Sequence, residues 1–515
     1  YNYINEKVKD SLLKLPLHLD YANLESEGPA NYYVAQVKSN VKKIIDGINA
    51  SKGTNYDIEK DGLIITTTLN FTLQEQALNA FRNHLSIMQN RLRKLYQNGN
   101  NREVLNKLVN KELSNNNLTK IANQRKNREL FDWKGFYTDS ISVRDSIRQA
   151  LTLLHAGLLA LNPETGAVKA WVGGIDYRTQ PYDQIFAQRQ IASTFKPVLY
   201  ATALERGTMP CTYLDNDPII LSDFDNWQPH NYDKSSGGNY SMAAALAKSM
   251  NIPTVNLFLQ TPFEDLENTW EKLGFSQPLE NKPSTALGTA SASIYELAKA
   301  YSSFANGGYS INPKIITSIK TAGGKIIFKN TFSKPKENNR VLSKKTSQLL
   351  TAILQKAINE GTGTSIKNKY GITIPLAGKT GTSQDYADAW FAAYTPKIVI
   401  VTRVGASLPT IKFNSGANGA GSTLALPIVG RTLRYVQKNY SKPFESLPEE
   451  YADALNCEDY IEDSGIEKFF EGLFKSDKTT LEKAQRRAER KAKRKQRKEK
   501  RKHENHNLSN HYSNS

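Results

Sequence analysis

The chain has 515 residues, of which 39% are hydrophobic and 23% charged, and it carries a formal net charge of +18. This length predicts roughly two to four folding units, and the ordinary composition excludes wholesale disorder. Two cysteines exclude a disulfide framework and a zinc cluster, and the longest apolar run, residues 150–161, is too short to cross a membrane.

Most of the positive charge lies in one C-terminal segment. Residues 483–502 hold 13 Lys and Arg against 2 Glu, which gives +11 of the total +18. The charge therefore indicates a low-complexity tail, and not a nucleic-acid-binding face. The chain begins at Tyr1 without an initiator Met or a signal peptide, which favours a processed product or a fragment of a longer protein.

The first 131 residues predict helices around one short strand. Gly62–Asn70 is rich in β-branched residues, which is typical of a strand. Amphipathic patterns predict helices at 6–15, 33–48, 72–98 and 102–131, with Asn-rich turns at 98–101 and 115–117.

A different pattern begins near Phe131 and predicts an α+β fold. Apolar segments at 158–162 and 167–172 flank a Pro-Glu-Thr-Gly turn and predict a hairpin. A helix-rich region follows from Ser193 to Phe304, then two strands at 388–394 and 397–402, and a closing helix at 424–437. Strands at both ends with helices between them indicate an antiparallel sheet that is assembled from distant segments and covered by helices.

Ser193-Thr-Phe-Lys196 predicts a serine at the start of a helix with a lysine one turn away. Pro197 is tolerated mainly in a first turn, so Ser193 should lie where free N–H groups and the helix dipole favour negative charge. Lys196 can accept the serine proton if burial and a second cation lower its pKa. The motif is weak by itself, because the same spacing occurs at Ser11/Lys14, Ser39/Lys42 and Ser333/Lys336.

Ser249-Met-Asn251 follows an alanine-rich helix that must stop before Pro253. A hydroxyl and a carboxamide at this spacing can face one cavity, where the hydroxyl relays protons and the amide holds a peptide group. An ordinary capped helix end is the alternative interpretation.

Lys379-Thr-Gly-Thr382 precedes the two C-terminal strands, and we predict that it lies on an edge strand. The missing side chain at Gly381 would let a ligand approach the backbone. Lys379, Thr380 and Thr382 can bind a carboxylate, and the Thr382 N–H can contribute to an oxyanion hole. A glycine-containing polar turn is the alternative.

Taken together and in this order, the three motifs are the set found in penicillin-binding proteins and serine β-lactamases. The sequence resembles the transpeptidase half of class A penicillin-binding proteins over roughly residues 132–440. Further similar segments are Arg189–Pro197, Ala286–Thr289, Phe304–Gly308 and Asp388–Phe391. A weaker similarity to the interdomain linker of this family runs from Leu15 through Asn70.

The resemblance implies a penicillin-binding, serine β-lactamase-like fold: an antiparallel sheet covered by helices, with an all-helical subdomain. We accordingly expect five segments along the chain. They are a linker remnant (1–61), a helical accessory region (62–131), the transpeptidase domain (132–445), a C-terminal extension (446–475) and a basic, disordered tail (476–515).

The resemblance also implies the reaction, which is the cross-linking of peptidoglycan stem peptides that end in D-alanyl-D-alanine, without metal or cofactor. Catalytic roles fall to Ser193 as nucleophile, Lys196 as its base and Ser249 as proton relay. The donor peptide would be held by Asn251, Lys379, Thr380, Gly381 and Thr382, with the N–H groups of Ser193 and Thr382 as the oxyanion hole. β-Lactams would block Ser193, and the site of action would be the outer face of a bacterial cytoplasmic membrane.

Two departures from the family qualify these expectations. Ala192 replaces the glycine that usually precedes the nucleophile, which would tighten the approach to Ser193. Nothing in the sequence resembles the glycosyltransferase half and its membrane anchor, so we expect no glycan polymerisation from this chain and an anchor in a missing N-terminal part. The tail is predicted to contact anionic lipid or wall polymer.

Three alternatives remain open from the sequence. A D,D-carboxypeptidase or a β-lactamase would use the same motifs with water as the acceptor. A non-catalytic penicillin-binding sensor would keep the serine and signal through an attached membrane segment. Coincidence of three motifs is the third. The sequence also leaves open whether Cys211 and Cys457 pair.

Overall fold

A computed structural model of the chain describes residues 28–178 and 180–462. The predicted helix at 6–15 and the basic tail lie outside these residues. Among the helices that the structure describes, none is both long and apolar enough to span a bilayer.

The described chain alternates between short helices and strands. The helices are α1 (Asn31–Lys52), α2 (Phe71–Leu95), α3 (Gly99–Asn115), α4 (Val143–Leu151), α5 (Lys196–Glu205), α6 (Met242–Ala247), α7 (Ile252–Gln260), α8 (Phe263–Lys272), α9 (Ile294–Ala305), α10 (Lys344–Asn359), α11 (Ser365–Asn368), α12 (Gly416–Gly419), α13 (Gly421–Leu424) and α14 (Leu426–Arg434). The strands are β1 (Ile64–Thr67), β2 (Arg125–Asp132), β3 (Gly135–Ser142), β4 (Leu154–Leu161), β5 (Val168–Val172), β6 (Arg189–Gln190), β7 (Tyr213–Asp215), β8 (Asn239–Ser241), β9 (Ser291–Ala292), β10 (Ile316–Lys320), β11 (Ile326–Lys329), β12 (Ala377–Thr382), β13 (Asp388–Thr395), β14 (Ile398–Ala406) and β15 (Tyr460–Ile461).

A five-stranded antiparallel sheet forms the centre of the fold, in the order β12-β13-β14-β4-β5. Strand β14 pairs with β4, so the hairpin predicted near residue 160 and the two strands predicted near residue 395 share one sheet. This arrangement confirms the prediction of a sheet assembled from distant segments. It also leaves β12 at an edge of the sheet, as predicted for the Lys379 motif.

The central strands are long apolar runs because helices cover both faces of the sheet. Trp390 and Tyr394 point to the face covered by α9 and α10, whereas Phe391 and Ala393 point to the face covered by α2 and α14. Every residue of β4, β13 and β14 is buried. The observed architecture is therefore the predicted α+β fold.

An all-helical region consists of α5, α6, α7 and α8, and it confirms the predicted helical subdomain. Its helices pack through small and branched apolar side chains such as Leu199, Leu246 and Val255. The alanines of α6 are all buried, which lets α6 approach α10 closely.

The prediction of a helix over residues 102–131 is wrong in its second half. Helix α3 ends at Asn115, and residues 125–142 form the β2–β3 hairpin instead. Asn117 has a φ of +55°, a left-handed conformation that asparagine tolerates and that stops a helix. The first Asn-rich turn is also shorter than predicted, because α3 already begins at Gly99.

By their contacts, the described residues form two units. The large unit runs to Ser236 and resumes at Tyr240–Asp459. The small unit consists of Gly237–Asn239 and the described residues from Tyr460 onward. The domain boundaries expected from the sequence at residues 62, 132 and 446 stay predictions. Within the large unit, a disulfide joins Cys211 to Cys457, which answers the question that the sequence left open.

Candidate active site

A single 3-10 turn, Ala192–Thr194, leads into α5 and carries Ser193. Pro197 occupies the first turn of α5, which places Ser193 just before the helix, as the sequence predicted. Across the described part of the chain, neither the hydroxyl nor the backbone N–H of Ser193 has a hydrogen-bond partner. Both groups are thus available to a bound molecule.

The backbone of this turn is strained at Ala192, which has a φ of +50°. Its N–H donates to the Gly288 carbonyl at 2.9 Å, and a methyl group at Gly288 would lie 1.9 Å from the Ala192 oxygen. A left-handed alanine costs about 1 kcal/mol relative to glycine. The departure at Ala192 therefore adds backbone strain beside the serine, which the sequence did not predict.

Lys196 is fully buried at the base of the site, with an exposed fraction of 0%. Its ammonium donates to the carbonyls of Ser249 (2.9 Å) and Met250 (2.8 Å) and to Asn251 Oδ1 (2.8 Å). Burial, with the nearby charge of Lys379, holds the pKa of Lys196 well below its ordinary value. The lowered pKa favours a neutral amine on Lys196 at rest. When this amine accepts a proton, the three hydrogen-bond acceptors stabilise the ammonium that forms, so Lys196 can serve as a general base.

The second motif lies in a tight turn after α6 and contacts the third motif directly. Ser249 adopts a φ of +60°, and its hydroxyl accepts a hydrogen bond of 2.7 Å from Lys379 Nζ. The same ammonium donates to the Thr380 carbonyl at 3.2 Å. Burial lowers the pKa of Lys379 to about 7, so this lysine titrates near neutral pH.

Three hydrogen bonds hold Asn251 in place. Its Oδ1 accepts from Lys196, its Nδ2 donates to the His230 carbonyl at 2.7 Å, and its backbone N–H donates to Asn231 Oδ1 at 2.7 Å. One side-chain N–H of Asn251 remains for a ligand.

Asn231 is a buried residue that the sequence analysis missed. Its Oδ1 accepts the N–H groups of Asn251 and Ile252, and its Nδ2 donates to Asn216 Oδ1 and the Ser235 carbonyl. The only sequence signal is an asparagine in a polar loop, which resembles any solvated loop.

Edge strand β12 presents the third motif. Thr380 and Thr382 lie on the same face of the strand, where Thr380 Oγ1 donates to Thr362 Oγ1 at 2.7 Å and Thr382 Oγ1 accepts the Gly421 N–H at 3.0 Å. Thr362 is a second residue that the sequence analysis missed.

Gly381 packs closely against the turn that carries Ser193. A methyl group there would lie 2.9 Å from Thr194 Cγ2 and 3.0 Å from the Ile191 carbonyl. The absent side chain therefore admits the turn that carries Ser193, and the expected approach of a ligand to this backbone stays a prediction. This close approach places the nucleophile turn against the strand that carries Lys379 and Thr382.

The fold thus brings the predicted site residues together from three distant parts of the sequence. A serine with a free hydroxyl, a buried amine of lowered pKa, a hydroxyl–lysine pair and a strand edge are the parts of a nucleophilic acyl-transfer site. Among the described residues, no group of three His, Cys, Asp or Glu side chains could hold a metal ion.

Comparison with known proteins agrees with this geometry. Residues 156–420 match the family model described as the penicillin-binding protein transpeptidase domain. Penicillin-binding protein 1A of Rickettsia conorii is 27% identical over 511 residues, which cover 88% of this chain and 62% of that relative. Penicillin-binding protein 1A of Aquifex aeolicus is 32% identical over 313 residues, which cover 60% of this chain and 42% of that relative. The chain therefore spans less than two thirds of the length of these relatives.

Solved structures show the same fold. Penicillin-binding protein 1A from Haemophilus influenzae superposes with a TM-score of 0.64 at 21% identity, covering 87% of this chain and 76% of that one. The penicillin-binding protein PonA1 from Mycobacterium tuberculosis gives 0.58 at 19% identity, covering 82% and 96%. Because the matching family model takes in more than half of the chain and includes all three motifs, the chain belongs to the penicillin-binding protein transpeptidase domain family.

Proposed function

We propose that this chain is the cross-linking part of a class A penicillin-binding protein, a serine D,D-transpeptidase that acts on peptidoglycan stem peptides. The observation that carries the proposal is the buried Lys196, which lies one turn from Ser193 and is bonded to Asn251 and to the Ser249 carbonyl. Relatives named penicillin-binding protein 1A, and the structure of PonA1 in complex with penicillin V, support the assignment.

In the acylation step, Ser193 Oγ attacks the carbonyl carbon of the penultimate D-Ala while its proton passes to Lys196 Nζ. The oxyanion that forms is stabilised by the N–H groups of Ser193 and Thr382. Ser249 passes its hydroxyl proton to the departing nitrogen and is reprotonated by the Lys379 ammonium, the peptide C–N bond breaks, and the terminal D-Ala leaves. An ester on Ser193 remains.

In the second step, the amino group of a neighbouring stem peptide attacks the ester carbonyl. The new amide forms as a proton of the amine passes through Ser249 to Lys379, the ester C–O bond breaks, and Ser193 regains its proton from Lys196. Before acylation, the donor peptide is bound through its terminal carboxylate by Lys379, Thr380 and Thr382, and through its backbone by Asn251. A β-lactam enters the same first step, but its leaving nitrogen stays attached and the ester persists.

The proposed setting follows from the substrate. Stem peptides are exposed on the outer face of a bacterial cytoplasmic membrane, which is an oxidising location in many bacteria and suits the Cys211–Cys457 disulfide. Anchoring to that membrane and contact of the basic tail with anionic lipid or wall polymer belong to the same proposal. Unchanged vesicle binding after deletion of residues 477–515 would overturn the tail contact.

Labelling with a fluorescent penicillin tests the nucleophile. We expect stable labelling of the wild-type chain at Ser193, none in Ser193→Ala, and nearly none in Lys196→Ala, because an unassisted serine is a poor nucleophile. Ser333→Ala is a matched control, since Ser333 and Lys336 have the same spacing. Equal labelling of Ser193→Ala and the wild type would contradict the proposal.

A second assay separates transpeptidation from hydrolysis. The purified chain should convert a stem peptide and an amine acceptor into a cross-linked product with release of D-Ala. Hydrolysis of the penicilloyl ester within seconds would indicate a β-lactamase, and acylation without any cross-linking would indicate a sensor.

A further inference from the structure

Tyr232 is the most exposed large hydrophobic side chain of the described residues, with an exposed fraction of 78%. It follows directly after His230 and Asn231, whose carbonyl and side chain hold Asn251. Its backbone is therefore fixed to the wall of the site that carries Asn251. In the described part of the chain, its hydroxyl has no hydrogen-bond partner and its ring contacts no other aromatic ring.

The ring of Tyr232 lies against Gly416, the first residue of α12. A methyl group added at Gly416 would lie 2.3 Å from the Tyr232 hydroxyl oxygen. The Gly416 carbonyl accepts from Thr423 Oγ1 at 3.0 Å, and the intervening Gly421 donates its N–H to Thr382 Oγ1. Gly416 thus belongs to the opposite wall of the site, which carries Thr382.

The backbone of Tyr232 therefore lies beside the residues that hold Asn251, and its hydroxyl lies against Gly416, in the segment that contacts Thr382. We infer that its side chain spans the opening between these two parts of the site. The groups proposed to bind the two ends of the donor peptide, Asn251 and Thr382, lie on either side of it. An aromatic ring that is left largely in solvent at such an opening has free apolar area for a ligand. Its contact with a bare glycine lets the ring move aside without breaking a hydrogen bond.

We propose that Tyr232 is a specificity-determining residue for the acyl donor, and that its ring packs over the bound stem peptide between Asn251 and Thr382. The inference rests on the function proposed above and adds the part of the site that recognises an extended peptide. Since no hydrogen bond joins Tyr232 to Ser193 or Lys196 among the described residues, the ring is assigned to binding and not to the acylation chemistry.

The first test measures D-Ala release from a stem peptide by the full chain. Tyr232→Ala should raise KM about tenfold and leave kcat within about twofold, because the ring contact is present in both ground state and transition state. Tyr232→Phe keeps the ring and should restore the low KM. Tyr435→Ala is the matched control, because Tyr435 is 74% exposed and is the residue that follows α14, away from the site.

The second test moves the ring without replacing it. Gly416→Ala places a methyl group against the hydroxyl, and the backbone at Gly416 is not in the left-handed region. We expect Gly416→Ala to raise KM as Tyr232→Ala does, and to have no further effect in a Tyr232→Ala background. Additive effects in the double variant would overturn the inference.

The outcomes separate this inference from the proposed function. A wild-type chain that penicillin does not acylate contradicts the proposed function itself. Normal acylation together with an unchanged KM in Tyr232→Ala contradicts only the role of Tyr232. A loss of thermal stability in Tyr232→Ala, with kcat and KM both changed, would indicate a structural role and overturn the inference as well.

Discussion

Two lysines are buried in one small site, and no carboxylate is bonded to either of them among the described residues. Burial lowers the pKa of Lys379 to about 7, and burial together with the charge of Lys379 holds the pKa of Lys196 well below its ordinary value. Burial and the charge of Lys379 therefore both disfavour the charged form of Lys196. The proposed mechanism depends on this, because only a neutral Lys196 can accept the proton of Ser193.

The pH dependence of acylation follows from that coupling. The rate should rise with pH through the pKa of Lys196 and level off above it. In Lys379→Met the repulsion is absent, so the pKa of Lys196 rises and the acid limb shifts to higher pH. Lys379→Arg keeps a positive charge beside Lys196, so the acid limb of its pH profile should stay at the wild-type position. Rates of penicillin acylation measured across the pH range check this, and a limb that moves to lower pH in Lys379→Met would contradict it.

At the scale of single residues, the sequence predicted the groups proposed to react but not the groups that hold them. Ser193, Lys196 and Ser249 could be predicted because their chemistry requires those side chains at fixed short spacings. Asn231 and Thr362 act only through contacts with Asn251 and Thr380, which the fold brings near, and no local spacing encodes such contacts. The packing of the turn around Ser193 against Gly381 could not be predicted for the same reason, since the two segments are distant in the sequence.

The loop between β7 and β8 positions the second motif through Asn231. This side chain caps the two N–H groups at the start of α7 and is itself anchored by Asn216 and Ser235. The exposed fraction of Asn231 is only 4%, so water cannot replace its hydrogen bonds.

Asn231→Ala should therefore weaken both folding and acylation. Two buried N–H groups lose their acceptor, which lowers the free energy of unfolding by about 2 to 3 kcal/mol and slows acylation at least tenfold as Asn251 shifts. Asn256→Ala is the control, because Asn256 also lies on α7 but bonds only to the Asp215 carbonyl. Urea unfolding and penicillin labelling rates measure the two effects. Equal losses in both variants would show that Asn231 has no special role.

At the scale of elements, the prediction succeeded where the hydrophobic pattern was strong. The runs at 158–162, 388–394 and 397–402 are largely apolar because both faces of the sheet are buried, and each one contributes to a strand. The prediction failed at residues 125–131, where charged residues in an exposed hairpin resemble an amphipathic helix. A strand that pairs with a single neighbour buries few side chains, so its sequence shows no clear alternation of apolar and polar residues.

The C-terminal segment of the large unit is tied back onto the helices around the site. Cys457 is bonded to Cys211, which follows α5, and Asp459 forms ion pairs with Lys248 (3.1 Å) and Lys356 (3.2 Å). Lys248 directly precedes Ser249, so this segment is fastened to α6 and α10 beside the second motif. These contacts join residues about half the chain apart, and the sequence alone could not pair them.

Reduction of this disulfide should measurably destabilise the molecule. The cross-link has a sequence separation of 246 residues, and closing so long a loop reduces the entropy of the unfolded chain. We expect a reductant to lower the free energy of unfolding by about 3 to 5 kcal/mol. The double variant Cys211→Ser/Cys457→Ser should unfold like the reduced wild type and show no response to the reductant. Urea unfolding with and without dithiothreitol gives both values. An oxidised wild type with two titratable thiols, or a reductant effect of equal size in the double variant, would contradict the cross-link.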